Sequence, residues 1–261
     1  MRQRDPAVAR ILHLISSNQR RGAETFGVEL GSELGRRGHL VDVVAVAGSP
    51  VGPFLDVEVA GRSRLDPMGF ASIVRRARQA DVVVSFGSIS LQVGAAAAAV
   101  ARRPFVYRNI GDPTVWGAVR YADLRIGAPL RRASHVVAVF PRAKDVLVSR
   151  YRLDPDKVSV IPRGVPAERF PVVSAADRAR ARAELGLDPE RPWVAYVGSL
   201  TAEKDPLLAL AAVAHLPDVG IVVCGDGPLA DSLAADSRLP SERKRILGPV
   251  DDVRPVMAAC N

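Results

Sequence analysis

A chain of 261 residues, 48% hydrophobic and 25% charged, is long enough to bury a proper core in two domains or one large one. Its longest apolar run, VGAAAAAVA at 93–101, falls far short of the roughly 20 residues that cross a bilayer, and Cys224 and Cys260 offer neither a metal-binding spacing nor a disulfide framework. The net charge of +8 sits in one segment, 101–170, with 14 Lys and Arg against 6 Asp and Glu; no recognised nucleic-acid-binding motif appears, which argues against sequence-specific nucleic-acid binding.

The amino terminus, MRQRDPAVARILHLISS, joins a basic start to an apolar stretch about as long as one strand. It has no small-residue cleavage site and reads as the first strand of a cytoplasmic protein. Helical GAETFGVELGSELGRRG and the strand HLVDVVAVAG follow. After them come DVVVSFG, the helix SISLQVGAAAAAVARR, PFVYRNIG, SHVVAVF, a helix from about Pro141, and KVSVIPRG. Short, continuous β-branched runs alternating with helices are what a parallel sheet covered on both faces requires.

A second cycle follows an Ala/Arg/Glu-rich helical stretch at 174–186. WVAYVGS, the helix DPLLALAAVAHL, VGIVVCGDG, the helix PLADSLAADS, KRILG and DDVRPVMAA repeat the alternation. The fold class is α/β, with two doubly wound, Rossmann-like domains at 1–172 and 173–261. The second shows three strands where such domains usually have about five or more, so it is expected to be incomplete.

Ligands of open α/β sheets lie outside the carboxyl ends of the strands. Four loops fall there. In SSNQRRGAE, Gly22 opens a helix, so it serves either as a plain turn or as a place where backbone N–H groups meet an anion. No GxGxxG or Walker motif follows the strand. In YRNIGDP, Arg108, Asn109 and Asp112 cluster at a strand end and could hold sugar hydroxyls or a leaving group; Asp112 before Pro113 fits a helix cap equally well. VIPRGVPAERF reads as a structural linker.

YVGSLTAEKDP carries Lys204, one of only four lysines among 36 basic residues. It lies between a strand with its glycine and a helix starting at Pro206, in reach of an anion at that helix end. CGDGP repeats the geometry, and Gly225 and Gly227 are expected to open space around whatever Lys204 holds. Together the two loops favour a phosphate-bearing ligand. No HxxxH or HExxH pairing is present and no metal site is expected.

Taken in order, RGAETFGVELGSELGRRGHLVDVV, VSVIPRGVPAERF, YVGSLTAEKDPLLALAA, VVCGDGPL and ILGPVDDVRPVMAAC resemble the retaining glycosyltransferases of family 4, which have the GT-B fold. The resemblance implies transfer of a sugar from a nucleotide-sugar donor with retention of configuration and without an obligatory metal or cofactor. It places the donor on the second domain and the acceptor on the first. By position, Gly22 matches the glycine loop facing the donor phosphates and Lys204 the lysine that neutralises the diphosphate leaving group.

Three departures stand out. Ser199 occupies the place of a usual arginine, and Arg21 replaces a common glycine and could supply that charge instead. The usual first-domain histidine falls near Ile110, where Arg108, Asn109 or Asp112 takes its place. The family's paired glutamates and final helix lie beyond Asn261. The chain is therefore expected to bind donor poorly and to transfer little or no sugar, and one longer by about 100 residues to be active. The alternative is a non-catalytic nucleotide-sugar or anion-binding fragment. The acceptor is not legible. The basic segment 101–170 is either ordinary arginine-rich surface or a face that meets a lipid-linked acceptor or the inner face of a membrane.

Overall fold

The computed structural model describes residues 8–50, 52–118, 121, 123–165 and 170–261. The chain divides into two compact units between Gly164 and Val165. The first contains β1 (Arg10–Ser17), α1 (Gly22–Arg36), β2 (Leu40–Ala47), β3 (Glu58–Gly61), α2 (Pro67–Gln79) and β4 (Val82–Phe86). It continues through α3 (Ser88–Ala101), β5 (Phe105–Arg108), α4 (Ala128–Arg132), β6 (His135–Ala138), α5 (Pro141–Tyr151) and β7 (Val158–Val160). Its seven strands form one sheet in the order β3-β2-β1-β4-β5-β6-β7, and every neighbouring pair is parallel.

Alternate residues of the central strands feed two cores. Leu12 and Leu14 join Val44, Ile73 and Leu91, whereas Ile15 joins Ala45 and Phe86 against α1 residues Phe26, Val28 and Leu30. Helix α1 lies close to the sheet because a Cβ on Gly27 would stand 2.7 Å from Ile15 and one on Gly31 2.9 Å from Val43. Closeness lets the buried His13 ring donate from Nδ1 to the Gly27 carbonyl at 3.0 Å, while Nε2 has no partner among the described residues. Burial lowers the His13 pKa to about 4, the Gly27 bond opposing it.

The unfolded chain therefore takes up this proton first as pH falls. Stability is fully present above pH 6.5 and drops by about 3 kcal/mol as pH falls to 4. Urea titrations at pH 7 and 4.5 should show this loss in the parent and not in His13→Gln. Equal losses in both would assign it to other groups.

The second unit contains α6 (Ala175–Leu185), β8 (Trp193–Val197), α7 (Pro206–Ala214), β9 (Gly220–Cys224), α8 (Ala230–Ala235), β10 (Lys244–Gly248) and α9 (Arg254–Ala259). Its three strands are parallel in the order β10-β9-β8. Val222 and Cys224 pack with Ala181, Trp193 and Ala259 on one side of β9; Ile221 and Val223 pack with Leu210 and Leu233 on the other. Ser174 caps α6 by accepting from Asp177 N–H at 3.1 Å.

Arginines tie these elements at their carbonyl ends. Arg182, 8% exposed, donates from Nε to Ala259 C=O at 2.9 Å and from its fork to Pro189 C=O and the Asn261 side chain. Arg243 donates to Val219 C=O at 2.9 Å, Val213 C=O at 3.0 Å and Leu216 C=O. Among the described residues no helix is long and apolar enough to cross a membrane.

Candidate functional site

In the first unit the chain leaves β1 toward β2 and leaves β4 toward β5, on opposite sides of the sheet. Such a reversal opens a crevice at the carboxyl ends of the two adjacent strands. Gly22, the first residue of α1, lies on this side. Arg21 is its exposed N-cap, extended and with no side-chain cap bond. The Glu24 carboxyl is buried in the first turn; burial pushes its pKa up, while a bond to its own N–H and the Arg21 charge pull it down.

Arg108, at the end of β5, is 5% exposed. Its guanidinium lies 5.1 Å from the centroid of Phe26 and donates to Ile161 C=O. Arg163, just past β7, lies 5.5 Å from the same ring, and one of its nitrogens is 3.7 Å from where a side chain on Gly22 would begin. Sequence reasoning missed Arg163 and Phe26, because VIPRG reads as an exit from a strand and Phe26 as a core position of α1. Only the β1-β4-β5-β6-β7 order brings the ends of β5 and β7 to the α1 side.

Asn109 follows Arg108 but is fully buried, and among the described residues its amide nitrogen and oxygen have no partner. Asp112 is exposed and accepts from Thr114 N–H at 2.9 Å at the start of a 3-10 turn, Pro113–Ala118. That bond holds its carboxyl below the usual range. Of the two roles open to Asp112, the structure displays the cap.

In the second unit the loops after β8 and β9 interlock through their backbones. Gly198 N–H donates to Cys224 C=O at 3.0 Å, Leu200 N–H to Asp226 C=O at 2.9 Å and Leu229 N–H to Leu200 C=O at 3.0 Å. Gly225 has φ +147° and Gly227 +155°; a Cβ would fall 1.8 Å from the Gly198 carbonyl oxygen and 2.6 Å from that of Leu200. These glycines therefore bring the two loops together. The expectation that they open space is corrected: what a side chain would displace is backbone.

On this braced platform Lys204 is 59% exposed at its side chain, and its Nζ lies 4.0 Å from Glu203. The Tyr196 hydroxyl reaches the carbonyls of Ser199 and Lys204 at 3.1 and 3.3 Å and steadies the loop. Ser199 itself is exposed. The amino end of α7, where sequence reasoning set an anion, already receives a carboxylate: Asp205, at φ +41°, accepts from Leu208 N–H at 3.1 Å. Lys204 thus remains as the cation of the loop. Among the described residues no group of three or more His, Cys, Asp or Glu could hold a metal ion.

Known proteins of similar sequence and shape agree with this architecture. The model of Glycosyltransferase Family 4 matches residues 20–169, more than half of the chain. The D-inositol 3-phosphate glycosyltransferase of Mycobacterium sp. (strain KMS) is 44% identical over 93 residues, a stretch that is 36% of this chain and 20% of that protein. The crystal structure of Anabaena Alr3699/HepE in complex with UDP and glucose is 22% identical, with a TM-score of 0.79, over 97% of this chain and 72% of that one. The sucrose-phosphate synthase from Thermosynechococcus elongatus is 18% identical, with a TM-score of 0.73, over 97% and 74%. At such identities the structures speak for the fold, and the two parallel-sheet units are the Rossmann-like units of GT-B glycosyltransferases. The chain belongs to glycosyltransferase family 4.

Proposed function

We propose that the protein transfers a sugar from a nucleotide-sugar donor to an acceptor with retention of configuration, the second unit holding the donor and the first the acceptor. The observation that carries the reading is Lys204, an exposed ammonium with no carboxylate of the described residues closer than 4.0 Å, on a loop braced by Tyr196 and the 225–227 turn. Family membership and the UDP and glucose in the Alr3699/HepE structure support it.

As the bond from sugar to phosphate lengthens, negative charge gathers on the phosphate oxygens. A cation already in place stabilises that state more than the intact donor, because the charge it meets is larger there. In this reading Lys204 does so without a metal or organic cofactor, and the loop backbone at Ser199 lies beside it. Gly22 and Arg21 are counted among the donor-binding residues, and Arg108, Asn109 or Asp112 replaces the first-domain histidine. The acceptor is a phosphorylated polyol of the kind named for the mycobacterial relatives, or a lipid-linked phosphate met through the basic segment 101–170.

Calorimetric titration of the 261-residue chain with uridine, guanosine and adenosine diphosphates and their glucose conjugates tests this reading. Saturable binding of one nucleotide and its sugar is expected. Heats indistinguishable from dilution for all of them would overturn it.

A further inference from the structure

The carboxyl edge of the seven-stranded sheet carries an apolar tip that faces outward. The chain leaves β3 at Gly61 on that edge, turns through 62–66 and enters α2, which packs Ile73, Val74 and Ala77 against the sheet face that holds Leu12 and Leu14. Leu65 and Met68 stand 81% and 80% exposed. Their backbone is pinned: Asp66 accepts from Arg62 N–H at 2.9 Å and from Met68 N–H at 3.0 Å, and a Cβ on Gly69 would fall 2.8 Å from the Gly61 Cα. With Pro67, exposed between them, they gather apolar surface in one short turn.

The surface around this tip is cationic. Residues 62–79 contain five arginines and one acid, Asp66, whose oxygens are engaged by backbone N–H groups. Arg76 turns inward to Asp42 and Glu58. Helical spacing sets Met68, Ala71, Arg75 and Arg78 along the outer face of α2, all exposed, and Arg62 and Arg64 are exposed in the turn before it. Among the described residues the side chains of Arg64, Arg75 and Arg78 have no carboxylate partner, whereas Arg36 and Arg37 share Glu33 and Arg254 pairs with Asp252.

We propose that the 62–68 turn and the outer face of α2 form a docking surface for an anionic phospholipid bilayer. Leu65 and Met68 enter the headgroup boundary, and Arg62, Arg64, Arg75 and Arg78 meet lipid phosphates beside them. An acidic protein would suit the arginines, but two apolar tips fall short of the packed core of a stable protein interface. A nucleic acid would leave those tips in water. The turn lies on the same sheet edge as the crevice at the ends of β1 and β4, so docking sets that crevice beside the headgroups. The proposal stands without the glycosyl-transfer reading, which adds only that a lipid-borne acceptor would arrive at this edge.

The experiment sediments the full chain with vesicles of phosphatidylcholine alone, or of equal parts phosphatidylcholine and phosphatidylglycerol, at physiological salt. Binding to the anionic vesicles is expected, and it should weaken as salt is raised. Arg75→Glu with Arg78→Glu should weaken it about tenfold or more, and Leu65→Ser with Met68→Ser about tenfold. All four side chains are exposed, so neither pair should move the melting temperature. Arg132→Glu with Lys157→Glu makes the same charge change just before β6 and β7, on the amino edge of the sheet, and should cost no more than about twofold.

No preference for anionic over neutral vesicles overturns the proposal. So does an equal loss in the Arg132 and Lys157 control, which would make the attraction one of net charge alone. If the arginine reversal lowers the melting temperature, the serine pair decides the matter: binding that it leaves unchanged means that Leu65 and Met68 do not enter lipid, and the surface is overturned. Nucleotide binding is measured without vesicles, so failure here and failure of the donor reading are told apart.

Discussion

Gly225→Ala is expected to take most of the stability from the second unit. The new methyl would sit 1.8 Å from the carbonyl oxygen of Gly198, and that carbonyl belongs to a loop held by its own bonds to Cys224 and Asp226. Backbone cannot yield as the tip of a side chain can, and φ of +147° is strained for alanine even where there is room. Relieving the overlap breaks the Gly198 and Leu200 bonds together, at a cost on the order of 4–5 kcal/mol, the range reserved for core disruption. A domain of this size has about 5–15 kcal/mol to lose.

Limited proteolysis and hydrogen exchange should show β8 and β9 losing protection while the seven-stranded sheet keeps its own. Gly186→Ala is the control: φ is +65° there with no atom within 4 Å of the added carbon, so only about 1 kcal/mol is expected to be lost. If the two variants melt alike, the interlock of the loops is not what the glycine serves.

Lys204→Met is expected to leave the fold intact and to weaken binding of the nucleoside diphosphate by about 10-fold to 100-fold, the worth of one charge-assisted hydrogen bond. Its side chain is 59% exposed and pairs with nothing tighter than Glu203, so the melting temperature should not move. In chains of equal length that turn over, the rate should fall further than the affinity, by about 100-fold to 1000-fold, because the leaving phosphate is more negative in the transition state than in the bound donor. Lys204→Arg keeps the charge and should recover part of both. A variant that loses affinity and rate in the same proportion would make Lys204 a binding residue only.

Most of the architecture was legible because each strand of a covered parallel sheet must be continuously apolar. ILHLIS, VVVSF and GIVVC fit no amphipathic helix, and their order with the intervening helices fixes the βαβ form. What escaped was β3 with α2. EVAG at 58–61 is four residues long with one β-branched side chain, too little to stand out as a strand. The helix after it announces itself mainly through Asp66, which caps Met68 and Gly69 N–H, and through Pro67 in its first turn. The Lys204 loop was legible because lysine is rare here and the loop lies within one βα unit. The Arg108, Phe26 and Arg163 cluster was not, since its members come from three elements separated by more than 50 residues and only the strand order makes them neighbours.

Composition counts arginine as charge, yet Arg182 and Arg243 serve the second unit as staples, each clasping carbonyls of separate segments with the spread of a flat fork. Recoding the chain with lysine at such positions would preserve its isoelectric point and its gel mobility while leaving helix ends untied. The preference for arginine over lysine in this protein is thus partly a matter of carpentry, and surface-engineering schemes that treat the two as equivalent should leave positions 182 and 243 alone.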